Sequence, residues 1–94
     1  MATTFDAGLP YRCSPQVALR PEPFGALAYH FGTRRLSFLK SPLLVALVKE
    51  LGSHPDVHAA LDAADVPERQ RAACLRALAA LSEAGTIEPR PSAA

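Results

Sequence analysis

His54 and His58 stand four residues apart, the spacing at which one helix face presents two imidazoles to a metal ion. Pro55 spoils that geometry, because it opens the next helix and leaves His54 ahead of it, and no Cys or carboxylate follows at a spacing that supplies a third and fourth ligand. The pair reads as two partly exposed histidines at a helix start. Cys74 is the next candidate, as a nucleophile, but a thiol attacks as thiolate and needs a base or a cation beside it. Ala73, Leu75 and Leu78 put it at a core-facing helical position instead, where a buried structural thiol is expected. Cys13 has no Cys-x-x-Cys partner and no flanking His. The chain carries no Gly-rich phosphate loop, no local Ser-His-Asp arrangement and no carboxylate pair at a telling spacing. The expectation is a protein that is not an enzyme and holds neither metal nor cofactor.

Cations remain. Arg34 and Arg35 are adjacent, and Arg69, Gln70 and Arg71 fall in the first turns of a helix, where a recognition helix would meet bases. A winged-helix DNA-binding protein is therefore the alternative reading. Against it, ten Lys and Arg face nine Asp and Glu for a formal charge of +1, whereas a specific DNA binder neutralises roughly 6–10 phosphates. No nucleic-acid partner is expected. Nor is a membrane, because the longest apolar run, residues 43–48, is far below the roughly 18 residues that span a bilayer. The N-terminus does not read as a secretory signal, and two cysteines are too few for a disulfide framework. A reduced, cytoplasmic setting is expected.

The elements that position these residues follow from periodicity. With 94 residues, 49% of them hydrophobic, the chain fits one domain with a modest core. Thr3, Thr4, Gly8 and Pro10 interrupt any pattern, so residues 1–10 read as a flexible lead-in, 11–88 as the domain and 89–94 as a tail. Val17 and Leu19 alternate, the turn residues "PEPFG" intervene, and Leu27, Tyr29 and Phe31 resume the two-residue spacing. Gly32 suits the first central position of a type II′ turn. A third strand over 35–39 places Leu36 and Phe38 toward a core and Arg35, Ser37 and Leu39 on the other face.

At Ser41-Pro42 the period becomes helical, with Ser as N-cap and Pro at the first position. That helix runs to about Leu51, with Gly52 as a left-handed stop. A second covers about 55–63, and a third, capped by Asp65, continues to about Ala84 before Gly85. A very short strand fits around Ile87. Three strands followed by three helices make an α+β domain, winged helix-turn-helix-like, with a three-stranded antiparallel sheet.

The stretch "VALRPEPFGALAYHFGTRRLSFLKSP" resembles the peptide-binding chaperones of mycofactocin biosynthesis. The likeness is specific over residues 16–42 and looser to Glu88, where "AGTIEP" carries it; Ala28 and Arg35 depart mildly from the usual "LLYHFGTRK". That family is one of the recognition elements for ribosomally made precursor peptides, like the small accessory protein of pyrroloquinoline quinone biosynthesis. The resemblance implies a domain that does no chemistry. It holds a precursor peptide and presents it to a radical S-adenosylmethionine maturase, which decarboxylates the peptide's C-terminal Tyr oxidatively and cross-links it to the neighbouring Val. The iron-sulfur clusters belong to that partner. In the family the peptide is an added strand along the third strand, in the cleft between it and the third helix.

A strand at a sheet edge offers unpaired N–H and C=O groups to such a guest. Each backbone hydrogen bond contributes about 0.5–1.5 kcal/mol net, while ordering a flexible peptide costs several kcal/mol, so buried side chains must add roughly 1.5–3 kcal/mol each. The candidate peptide-binding residues are Arg34, Arg35, Leu36, Ser37, Phe38 and Leu39 on the strand, with Arg71, Leu75 and Leu78 on the third helix. Leu39, Leu75 and Leu78 are the expected groove, Ser37 an expected backbone donor, and the arginines the expected readers of acidic residues. An open edge also invites weak homodimers.

Overall fold

Two small antiparallel sheets and three helices share one core in the computed structural model, which describes residues 5–90. The remaining parts of the expected lead-in and tail, residues 1–4 and 91–94, lie outside the described residues. The strands are β1 (Tyr11–Cys13), β2 (Val17–Glu22), β3 (Gly25–His30), β4 (Leu36–Leu39) and β5 (Ile87–Pro89). Helices α1 (Pro42–Glu50), α2 (Val57–Ala63) and α3 (Glu68–Ala84) lie between β4 and β5. The fold is α+β, as the patterning predicts, with the main sheet in the order β2-β3-β4. The very short strand expected around Ile87 is β5, and it forms a second sheet with β1, with Arg12 opposite Glu88 and Cys13 opposite Ile87. Residues 5–10 are held between that sheet and α2: the Phe5 and Tyr11 ring centroids are 5.0 Å apart, and Val57 N, at the start of α2, donates to Ala7 O.

Backbone chemistry sets the connections. Glu22 pairs with Gly25, so Pro23 and Phe24 alone turn β2 into β3. Gly25 has φ +150°, and a Cβ there would overlap Leu39 O; only Gly lets the strands approach this closely. Between β3 and β4 the expected two-residue type II′ turn is replaced by a four-residue loop. Arg34 N donates to His30 O at 2.7 Å and His30 N to Arg35 O at 2.9 Å. His30 Nδ1 accepts from the N–H groups of Gly32 and Thr33 inside the loop, and Arg34, not Gly32, takes the left-handed conformation.

Helix ends follow capping rules. Ser41 Oγ accepts from Leu44 N at 3.1 Å at the start of α1, with Pro42 in the first turn. Rather than stopping at a left-handed Gly52, α1 tightens into a 3-10 turn, Leu51–Ser53. Asp56 caps α2, so that helix begins after Pro55 and not at it. Asp65 is left-handed at the end of α2 and does not cap α3, whose N-cap is Pro67. Gly85 closes α3 at φ 81° as expected.

The helices cover one face of the main sheet, and the buried residues of β3 and β4 are Ala26, Ala28 and Leu39. This reverses the expected facing of β4. Leu36 and Phe38 are 52% and 55% exposed, whereas Leu39 is fully buried. Alternation along a strand defines two faces but does not say which is covered; the small Ala26 and Ala28 leave room for Leu47, Val48 and Leu51 to press close.

Candidate functional site

Register determines which backbone groups of β4 are available. His30 N donates to Arg35 O, and Leu39 O lies against Gly25, so Arg35, Ser37 and Leu39 direct their polar backbone groups toward β3. In an antiparallel ladder the intervening residues point the other way. Leu36 and Phe38 therefore present N–H and C=O at the outer edge, where no strand is paired among the described residues. The Ser37 N–H belongs to the ladder with Ala28, which corrects its expected role as an edge donor. Ser37 contributes its hydroxyl instead: Thr86 Oγ1 donates to Ser37 Oγ at 3.3 Å, tying the end of α3 to β4.

Just beyond β4, a cleft of about 190 Å³ opens between the start of α1 and the exposed side of α3, lined by Ser41, Leu43, Leu44, Gln70, Ala73, Cys74 and Ala77. The α3 residues fall at positions i, i+3, i+4 and i+7, one helix face. Small side chains at Ala73, Cys74 and Ala77 leave the hollow. Of the expected groove residues, Leu39 and Leu78 are fully buried in the core, and Leu75 is half-buried against it; none of the three lines the cleft. The missed signal was this stripe of small residues, less conspicuous than the leucines beside it.

Arg34 and Arg35 are exposed at the loop entering β4. Arg71 is engaged: it sits 2.7 Å from Asp62 Oδ1, 3.7 Å from Glu68 Oε2, and donates from Nε to Val66 O at 3.1 Å. Those bonds fasten α3 to the end of α2. Burial pushes the Cys74 thiol upward. Burial, with Glu88 second, does the same for Cys13. Neither has the depressed pKa that makes a nucleophile, and Cys74, half-buried on the cleft wall, is more open than the expected core thiol. Among the described residues no group of three His, Cys, Asp or Glu is placed to hold a metal ion, and no helix is long and apolar enough to cross a membrane.

An unpaired strand edge beside a small apolar cleft, on a winged-helix-like scaffold, defines a binding module for an extended polypeptide. The description "Peptide chaperone MftB family" matches residues 10–88, and the chain belongs to that family. Peptide chaperone MftB of Mycolicibacterium smegmatis is 51% identical over 86 residues, covering 92% of this chain and 84% of that protein. The proteins of the same name from Mycobacterium ulcerans and Mycobacterium tuberculosis are 48% and 45% identical, each over 89 residues, 95% of this chain and 82% of theirs. No solved structure matches.

Proposed function

We propose that this chain is the non-catalytic chaperone that binds the precursor peptide of mycofactocin biosynthesis and presents it to the radical S-adenosylmethionine maturase. Family membership supports the chaperone role, and the open outer edge of β4 carries the proposal for how the peptide is held. The peptide adds a strand there, bonding to the N–H and C=O groups of Leu36 and Phe38. Its alternate side chains point to opposite faces of the extended sheet. One set enters the cleft at Ala73, Cys74 and Ala77; the other lies beside the exposed side chains of Leu36 and Phe38. Arg34 and Arg35 attract acidic peptide residues and set register. Leu39 and Leu78 serve from the core, holding strand and helix in place, as Ser37 does through Thr86 and Arg71 through Asp62. We assign this work to a reducing cytoplasm, where both thiols stay free.

Titration calorimetry with the synthetic precursor peptide tests the reading. Saturable one-to-one binding is expected, and Phe38→Pro, which removes an outward N–H, should weaken it tenfold or more. A wild-type chain that releases no heat with the peptide, but shifts a DNA duplex with a steep salt dependence, would return the winged-helix alternative.

A further inference from the structure

On the face of the main sheet turned away from the helices, apolar side chains lie exposed among the described residues. Phe24, Tyr29, Phe31, Leu36 and Phe38 are all exposed, Phe31 by 59%. They are contiguous: Phe24 and Phe38 have centroids 6.1 Å apart, Tyr29 and Phe31 5.5 Å, and the register sets Tyr29 beside Leu36. At about half of the roughly 150–250 Å² that an aromatic side chain can bury, they sum to on the order of 400–500 Å². That is at the level of the largest apolar patch on an ordinary monomer, about 300–600 Å². It also matches the apolar share of one side of a standard interface, some 56–65% of about 800 Å². A guest strand on β4 lies along its backbone edge and leaves the outward faces of Leu36 and Phe38, with Phe24, Tyr29 and Phe31, bare.

Charge indicates the occupant. Among residues 17–40, Arg35 alternates with Leu36 and falls on the helix side of β4, so the exposed face keeps three basic residues (Arg20, Arg34 and Lys40) against one acidic, Glu22, a local +2 in a chain whose formal charge is +1. Glu22 is already 3.3 Å from Arg20. A second copy stacked face to face through a twofold axis would set this basic rim against itself, whereas an apolar patch rimmed by Asp and Glu would fit.

We propose that this face docks the maturase, through an apolar patch with an acidic rim on the enzyme. The inference rests on the chaperone reading, because β4 then serves both partners, giving its backbone edge to the peptide and the side chains of Leu36 and Phe38 to the enzyme. The enzyme is thereby set beside the strand it must receive.

Phe31→Glu and Phe24→Glu lie on the two hairpin connections, at opposite ends of the sheet and away from the β4 backbone edge, and each is first to be checked for folding by thermal melting. Binding of purified maturase, with its clusters, is measured by biolayer interferometry and binding of precursor peptide by calorimetry. Both variants are expected to lose at least tenfold in maturase affinity while peptide affinity stays within twofold. The proposal is overturned if the wild type does not bind the maturase, if the variants bind it unchanged, or if they lose peptide affinity by tenfold. It is also overturned if the wild type sediments as a dimer that Phe31→Glu dissociates, since the face then belongs to a second copy. Phe38→Pro separates the two claims: retained peptide binding there defeats the β4 edge reading, whatever the face variants do.

Discussion

Gly25 is a residue at which one methyl group decides whether the sheet forms. Its φ of +150° is a conformation that L side chains rarely adopt, and an added Cβ would meet backbone, Leu39 O, that has no rotamer with which to give way. Gly25→Ala should cost about 2–4 kcal/mol, strain and overpacking together, read as a lower urea midpoint. A change below about 0.5 kcal/mol would mean that β3 and β4 separate readily at that end. Cys74 supplies a residue-scale test of the cleft. Burial raises its thiol, so its contribution to stability is present below the unfolded pKa and is lost as pH rises through the folded one. Near pH 8 it should react with a disulfide reagent more slowly than in the unfolded chain. Saturating precursor peptide should slow it further, at least fivefold, while Cys13, in β1, is unaffected. Mass spectrometry assigns the two sites; a Cys74 rate indifferent to peptide would take the guest out of the cleft.

At the scale of elements, β4 has two sides that proline can distinguish. Phe38→Pro removes an outward N–H and leaves the ladder with β3 intact, a substitution an edge strand tolerates. It should lower peptide affinity by tenfold or more, whereas Phe38→Ala, which keeps the N–H, should lower it less. Ser37→Pro removes a donor that faces β3 and should destabilise the fold by about 2–3 kcal/mol in urea denaturation. Equal stability of the two proline variants would mean that the register is shifted. Much of this architecture was legible in the sequence. The alternation of Val17 and Leu19 and of Leu27 and Tyr29, the Ser41-Pro42 start and the Gly85 stop each have a local cause, and each marks an element boundary the structure keeps. What stayed hidden depended on distant partners. The short strand at Ile87 was legible, but not its partner: Tyr11–Cys13, only three residues long, pairs with it across the whole length of the domain, which periodicity does not reveal. The facing of β4 depended on which side the helices cover, and its clue was the small residues of "GALAYH", whose Ala26 and Ala28 mark the covered face.

For the whole molecule, the question is why the body formed by residues 5–90, 34 Å in its longest extent, leaves a strand edge unpaired among the described residues. The strand that could cover it is spent elsewhere. β5 leaves α3 near β4, where Thr86 reaches Ser37, but pairs with β1. It is kept there by the Arg12–Glu88 pair at 2.6 Å, and by Arg90, which donates to Gly52 O and His54 O. Half-exposed, the ion pair adds only about 0.2–1 kcal/mol; the buried Ile87 and Tyr11 hold the strands together. The topology thus assigns stability to one sheet and binding to the edge of the other, and it gathers positive charge around the second. An acidic guest approaching that end is steered by a field that salt shortens, from about 10 Å at 0.1 M to about 3 Å at 1 M. Reversing both charges in Arg34→Glu/Arg35→Glu should therefore raise the Kd for precursor peptide about tenfold near 0.1 M salt and less than threefold near 1 M, chiefly through a slower association rate. Stopped-flow fluorescence across that range checks it. A loss equally large at both salt concentrations would mean that the arginines make close, desolvated contacts with the peptide instead of steering it, and an unchanged Kd at low salt would place the guest beyond their reach.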